Sequence, residues 1–263
     1  MSGSKAERRG AARTEPSGTE RVSEHVSRVQ RAGVNLYLIH SGDGVTMVDA
    51  GLPGMWRELS RALQSIGAAP RDIKAILLTH GHFDHVGVAA RLHQEHGVPI
   101  YVHPEDRTLA RHPYRYDHEA PRWRYPFRYP ASLPLQARML ASGALWVKGV
   151  EAKADLRPGV AVDVSGRPIP IAAPGHTYGH CGLFLPDDGI IFSGDALVTL
   201  DPYTGRTGPR MVARAATADV AMNLVALANL AETDAELVLP GHGRPHAGGI
   251  RQAVDAARGQ SVP

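Results

Sequence analysis

Four side chains of types that ligate metal ions stand within six residues of one another: His80, His82, Asp84 and His85. They follow the short apolar run of residues 75–79, which is typical of a buried strand, and they lead into a helical pattern. His80 and His82 are two residues apart in a predicted extended loop, so they point the same way and could share one ion. Asp84 and His85 enter the helical turn and face a second position. Imidazole and carboxylate groups are ligands that zinc and similar ions prefer.

Three further ligand-type side chains repeat one pattern, in which a predicted strand is followed by glycine and then by the ligand-type residue. They are His176, Asp195 and His242. A single histidine or aspartate at a strand end is more often structural, but the repetition indicates a shared site. Within the first cluster, Gly81 and Gly87 are expected to let the backbone come close to the metals.

The motif His80-x-His82-x-Asp84-His85, followed by His176, Asp195 and His242, resembles that of the metallo-β-lactamase-fold superfamily. The order and spacing are similar to those of its glyoxalase II-like hydrolases. The resemblance runs from about residue 26 to residue 257, and the central insertion is its least matched part. It implies an α/β fold of the four-layer αββα sandwich type, in line with the predicted strand–helix–strand order.

The resemblance also implies roles for these residues. His80, His82 and His176 would hold a first metal, Asp84, His85 and His242 a second, and Asp195 would bridge both. The cofactors would be two divalent ions, zinc in the first place, with iron or manganese as alternatives. A hydroxide between two such ions attacks a substrate carbonyl, and Asp84 would be the catalytic residue that orients it. Asp49 matches an early family aspartate that lies beneath the site as a structural residue.

The segment after Asp195 departs from known substrate classes of the family. It lacks the Cys-Gly-Arg segment of glyoxalase II and the persulfide dioxygenases, and Val198 stands where acyl-homoserine lactonases usually have tyrosine. The expected function is therefore a dinuclear hydrolase acting on an ester, thioester, lactone or lactam. The alternatives are a mononuclear iron enzyme like the persulfide dioxygenases, and a phosphodiesterase acting on nucleic acid.

The predicted organisation is a disordered tail over residues 1–24 and one domain over residues 25–263, interrupted by the insertion at about residues 104–156. Arginines and aromatic residues alternate within the insertion, between Arg107 and Arg128. Such a segment could form a lid that stacks on an organic substrate, or it could form a dimer interface. Both interpretations stay open at this point.

The composition and net charge limit the kinds of binding partner that are expected. The formal charge is +3, from 29 basic and 26 acidic residues, so neither nucleic acid nor a membrane is expected as partner. A small-molecule substrate, a possible homodimer and a cytoplasmic location are expected, because no secretory signal or membrane span is visible. Cys181 is the only cysteine, which excludes an internal disulfide and a cysteine-based zinc site. His180 is expected to support the site without binding metal.

Overall fold

The computed structural model describes residues 17–263. Its strands are β1 (Gly18–Arg21), β2 (Val26–Arg31), β3 (Val34–Ser41), β4 (Gly44–Val48), β5 (Ile73–Leu77), β6 (Ile100–Val102), β7 (Ala154–Asp155), β8 (Ile169–Ala172), β9 (Cys181–Leu185), β10 (Ile190–Gly194), β11 (Val198–Leu200), β12 (Thr207–Arg210) and β13 (Leu237–Pro240). Its α-helices are α1 (Trp56–Ser65), α2 (Phe83–Val86), α3 (Ala89–His96), α4 (Arg107–Arg111), α5 (Tyr125–Arg128), α6 (Leu133–Ala141), α7 (Val220–Ala231) and α8 (Gly249–Arg258).

The strands form two main sheets. In the first, β1 to β7 lie side by side in sequence order, antiparallel from β1 to β4 and parallel from β4 to β7. The second has the order β13-β10-β9-β8, and only its β10–β13 pair is parallel. Strands β11 and β12 form a separate antiparallel pair.

The alternation of side chains along each strand explains how these sheets pack. In β3, Leu36 and Leu38 join a core cluster with α1 and α3, whereas Tyr37 and Ile39 join the cluster that lies between the two sheets. In β10, Ile191 packs with α7 and α8, and its two neighbours face the first sheet. Successive strand residues point to opposite faces, so each sheet buries one face on its partner and one on helices. The four-layer αββα sandwich is thereby confirmed.

The helix predicted over residues 84–96 is interrupted between α2 and α3. The backbone N–H of Gly87 donates to the carbonyl of Gly51 at 2.8 Å, and the N–H of Val88 donates to the carbonyl of Ala50 at 3.0 Å. These tertiary hydrogen bonds replace the helical ones. They fasten α2, which carries two of the predicted ligands, to the turn after β4.

Two predicted segments differ in the structure. Residues 18–21, which the sequence analysis placed in the tail, form β1 on the edge of β2, where the buried Arg28 guanidinium donates to Glu20 at 3.0 Å. Residues 17–24 of the predicted tail are therefore described, and residues 1–16 lie outside the described residues. The insertion, for which the sequence analysis gave no secondary structure, contains α4, α5, α6 and the edge strand β7. None of the helices within residues 17–263 combines the length and apolar character needed to cross a membrane.

Candidate metal centre

The seven residues predicted as metal ligands converge at one edge of the sandwich. Five belong to loops that follow strands β5, β8, β10 and β13, and the other two belong to α2. The carboxyl ends of neighbouring strands meet at one edge of a sheet, so side chains far apart in sequence come together there. All seven are buried: His80, His82, Asp84, His85, His176, Asp195 and His242.

Their ligand-type atoms form three overlapping triads. Within each triad these atoms lie within 4.8 Å of one another, and the triads are His80/His82/His176, His80/His85/Asp195 and Asp84/His85/His242. The first and third are the two sets that the family resemblance implied. Asp195 lies between them, because its Oδ2 is 3.6 Å from the Nε2 of His176 and 3.2 Å from the Nε2 of His242.

Several ligand-type atoms that face the centre lack hydrogen-bond partners among the described residues. The Nε2 atoms of His80, His85 and His242 are buried without a partner, and so is the Oδ1 of Asp195. The Nδ1 of His82 lies 3.1 Å from the Nε2 of His176. Leaving such atoms buried and unpaired costs free energy that cations at their focus would recover. The donor set therefore fits two divalent ions.

The opposite nitrogen of several rings is held by a neighbour. The Nδ1 of His242 is 3.2 Å from the carbonyl of Gly33, and the Nδ1 of His176 is 3.4 Å from the hydroxyl of Thr217. A carbonyl only accepts, so the Nδ1 of His242 carries a proton, and its Nε2 is the nitrogen that a metal would bind in place of a proton. Partners of this kind set the ring orientation and tautomer of metal-ligating histidines.

Asp49 organises the first cluster from beneath. It accepts hydrogen bonds from the backbone N–H of Thr79 at 2.8 Å and from the Nδ1–H of His85 at 2.8 Å. The Thr79 hydroxyl also donates to Asp49 and lies 3.0 Å from the Nδ1 of His80. Asp49 has a φ of 56°, in the left-handed region. Its role beneath the site agrees with the prediction.

Burial and charge act in opposite directions on the histidines. Burial lowers the pKa of His80 and His82 well below the usual value and lowers the pKa of His176 to about 4. Burial also acts to lower the pKa of His85 and His242, but neighbouring carboxylates outweigh it. Asp49 and Asp195 raise the pKa of His85, and Asp195 and Asp84 raise that of His242 to about 10. Neutral imidazole is the form that binds metal.

A buried aspartate that the sequence analysis did not single out connects two of the ligand loops. Asp106, in the insertion, accepts hydrogen bonds from the N–H of Gly81 at 2.9 Å, the hydroxyl of Thr177 at 2.7 Å and the N–H of Gly179 at 2.9 Å. Burial raises the pKa of the Asp106 carboxyl, and the three donors oppose that rise. The loop of His80 and His82 is thus held against the loop of His176.

His180 supports the centre in the way the sequence analysis expected. Its Nε2 accepts from the backbone N–H groups of Asp195 at 3.0 Å and Ala196 at 3.2 Å. Burial lowers the pKa of His180, which keeps the ring neutral so that Nε2 can accept. The neighbouring Cys181 is buried on β9, and burial raises the pKa of its thiol to about 12.

The glycines of the motif serve close packing between loops. A Cβ at position 81 would lie 2.6 Å from the backbone nitrogen of Ala110, and one at Gly87 would collide with the backbone of Gly51 and Leu52. The glycines were expected to let the backbone come close to the metals, but the structure shows a different reason for them. They let the motif approach α4 and the turn after β4.

A cavity of about 270 Å³ opens over His82, Asp84, Asp195 and His242. The ring of Tyr116 from the insertion lies 4.0 Å from the ring of His82, and the hydroxyls of Tyr116 and Tyr203 are 3.1 Å apart. Burial raises the pKa of both tyrosines, so both hydroxyls stay protonated. The cavity gives a substrate access to one side of the centre.

The insertion forms a wall of this cavity through Tyr114, Tyr116, Arg122 and α6. Other members of its arginine–aromatic series lie elsewhere, since Trp123 and Phe127 are 66% and 82% exposed. The wall agrees with the interpretation of the insertion as a cover over the substrate. The interface role stays a prediction for the exposed aromatic residues.

Comparisons with known proteins agree with this architecture. The sequence model of the metallo-beta-lactamase superfamily matches residues 29–242. The probable metallo-hydrolase YflN of Bacillus subtilis strain 168 is 29% identical over 228 residues, which are 77% of this chain and 76% of YflN.

Two solved structures are similar over most of the chain. One is TTHA1429, a metallo-beta-lactamase family protein of Thermus thermophilus, with a TM-score of 0.61 and 27% sequence identity. The superposition covers 86% of this chain and 73% of the TTHA1429 chain. The other is TTHA1623, solved in a di-iron-bound form, with a TM-score of 0.60 and 26% sequence identity. The superposition covers 86% of this chain and 95% of the TTHA1623 chain.

Proposed function

Because the chain belongs to the metallo-beta-lactamase superfamily and is a metallo-hydrolase, we propose that it holds two divalent cations and hydrolyses an ester, thioester, lactone or lactam. The observation that carries this proposal is the pair of buried triads that share the neighbourhood of Asp195. Each triad contains ligand-type atoms without a hydrogen-bond partner, so two adjacent triads are better explained by two bound ions than by one.

In this proposal His80, His82 and His176 hold the first cation, and Asp84, His85 and His242 hold the second. Asp195 contacts both. When bound, the cations supply Lewis acidity and lower the pKa of a coordinated water. Five imidazoles and two carboxylates without a thiolate suit zinc, and they also suit iron or manganese. The di-iron-bound form of TTHA1623 supports iron as the main alternative to zinc.

In this proposal the side chains around the cavity have separate roles toward the water and the substrate. The Oδ2 of Asp84 is 3.3 Å from the Nε2 of His242, and Asp84 also lines the cavity, so its carboxylate can accept a hydrogen bond from the attacking water. In the Tyr116–Tyr203 pair one hydroxyl donates to the other, which leaves one O–H available to the substrate oxygen.

The centre also favours hydrolysis over the two alternatives. A mononuclear iron enzyme would give no role to the buried triad of Asp84, His85 and His242. A nuclease would be expected to line its cleft with several cations, whereas apart from histidines the described lining includes Arg122 alone.

A substrate panel with metal analysis on the same sample tests the proposal. Chromogenic ester, thioester, lactone, β-lactam and phosphodiester substrates are assayed, together with oxygen uptake on a persulfide. We expect turnover of a carbonyl substrate that scales with loading up to two ions per chain. Preference for the phosphodiester, or oxygen uptake with one iron per chain, would contradict it.

A further inference from the structure

The cavity over the candidate centre is lined by a few polar groups and many apolar side chains. Its hydrogen-bonding members, apart from the candidate ligands and Arg122, are Gln136 and the tyrosines Tyr114, Tyr116 and Tyr203. Its apolar members include Phe83 and four side chains of the insertion: Met139, Leu140, Ala144 and Leu145. Met139 and Leu140 come from α6. A ligand that binds here therefore meets hydrocarbon over much of its surface.

The cation in this lining is already engaged by the protein. The Arg122 guanidinium lies 3.8 Å from the centre of the Tyr116 ring and donates to the carbonyls of Tyr116 at 3.2 Å and Ala215 at 3.3 Å. These contacts hold the guanidinium against Tyr116 and occupy its Nε–Nη2 edge, so that edge is not free to receive a carboxylate or phosphate of a substrate.

From these two observations we propose that the substrate is an uncharged carbonyl compound whose acyl arm is apolar and lies along Met139, Leu140 and Leu145. This inference rests on the proposed hydrolytic function and specifies its substrate class. A cavity of about 270 Å³ is at the small end for ligand sites, so the arm is of moderate length. Leu140 and Leu145 are 46% and 61% exposed, which marks the rim where a longer arm returns to solvent.

A series of p-nitrophenyl esters from acetyl to dodecanoyl, assayed on the metal-loaded protein, tests the inference. Each methylene that the wall covers is expected to raise kcat/KM by about twofold to fourfold, and the gain ends once the arm passes the rim. An octanoyl ester with a terminal carboxylate is expected to react at least about tenfold more slowly than plain octanoyl, because the described apolar lining around Met139, Leu140 and Leu145 would have to desolvate the charge.

Two matched substitutions on α6 locate the wall. Leu140→Asp places a carboxylate on it, and Leu133→Asp makes the same change at a residue that is equally exposed, at 44%, but lies outside the cavity lining. We expect Leu140→Asp to lower kcat/KM for the octanoyl ester by about tenfold or more, and by a larger factor than for the acetyl ester. Leu133→Asp should change neither.

Binding of saturated carboxamides, from acetamide to decanamide, separates the inference from the proposed function. These uncharged probes are expected to raise the melting temperature of the metal-loaded protein increasingly with chain length, and less in Leu140→Asp. Flat ester and amide series, equal effects of the two substitutions, or preference for the terminal carboxylate would each overturn the inference. No turnover of any ester, thioester, lactone or lactam, combined with chain-length-dependent amide binding, would contradict the proposed function and leave the apolar wall supported.

Discussion

Asp106 offers a test of how the ligand loops are held, because it touches none of the predicted metals. Its Oδ2 accepts from the N–H of Gly81 and the hydroxyl of Thr177, and its Oδ1 accepts from the N–H of Gly179. Gly81 separates His80 from His82, and Thr177 follows His176. Replacing Asp106 therefore acts on the first triad through the backbone.

The size of the effect follows from the donors left unpaired. Asp106→Asn keeps one oxygen for Gly81 and Thr177 and turns an amide N–H₂ toward Gly179, which leaves one buried donor unsatisfied at a cost of about 1–3 kcal/mol. Asp106→Ala leaves all three donors, the two glycine N–H groups and the Thr177 hydroxyl, without this acceptor, at a cost of about 3–9 kcal/mol. Because domains are stable by only about 5–15 kcal/mol, Asp106→Asn is the informative variant.

Urea unfolding and metal titration of Asp106→Asn measure the two consequences separately. We expect a lower free energy of unfolding and an affinity at the first metal position weakened by about 10–100-fold, as is typical when a group that orients ligands is removed. Glu105→Gln, a neighbouring exposed acidic residue, is the control and should change neither. If Asp106→Asn were destabilised but bound metal like the control, Asp106 would be a structural residue and the argument would fail.

Four further predictions concern the centre itself. Asp84→Asn should lower kcat by about 10²–10⁴-fold, since it removes the acceptor for the attacking water and the charge of one ligand of the second cation; retained turnover would refute this role. Asp49→Asn tolerates the left-handed backbone but removes the charge on His85, so calorimetric titration should show an about 10–100-fold weaker second metal and a less affected first one. Gly241→Ala would place a methyl group against the carboxylate of Asp195, so metal content and activity should both fall. A metal content equal to that of the wild type would show that the loop can move to accommodate the methyl group. Chelation should lower the melting temperature, because each site loaded at a hundredfold excess over Kd adds about 2.7 kcal/mol; an unchanged melting curve would contradict coupling between metal and fold.

The convergence of the candidate residues could be expected from the sequence because most of them follow a recognisable strand. Asp195 and His242 both follow a buried apolar run and a glycine, and parallel pairing of β10 with β13 places them together. The division of the residues into two sets came from the family resemblance, and their binding of metal stays a prediction.

Asp106 was not predictable in the same way. Its partners Gly81 and Gly179 are 25 and 73 residues away, and two of its three bonds are to backbone groups, which leave no trace in residue type. The break between α2 and α3 has the same origin, because the N–H groups of Gly87 and Val88 bond across the fold. The strand β12 contains Gly208 and Pro209, residues that normally disfavour strands, and exists through its pairing with β11.

The lining of the substrate cavity is a third feature that the sequence alone could not predict. Tyr116 and Tyr203 are 87 residues apart, yet their hydroxyls meet beside His82. The sequence analysis placed Tyr116 among the aromatic residues of the insertion but could not separate those that line a cavity from those that face solvent. Burial, which depends on the packing of α6 and the loop after β11, makes that distinction.

The metal content of the wild type and of His242→Ala tests the central claim most directly. Each protein is reconstituted with zinc or with iron, freed of excess metal and analysed by mass spectrometry against its protein concentration. The proposal predicts two ions per chain in the wild type and one in His242→Ala, because only the second position loses a ligand. One ion per chain in both proteins would contradict the dinuclear centre.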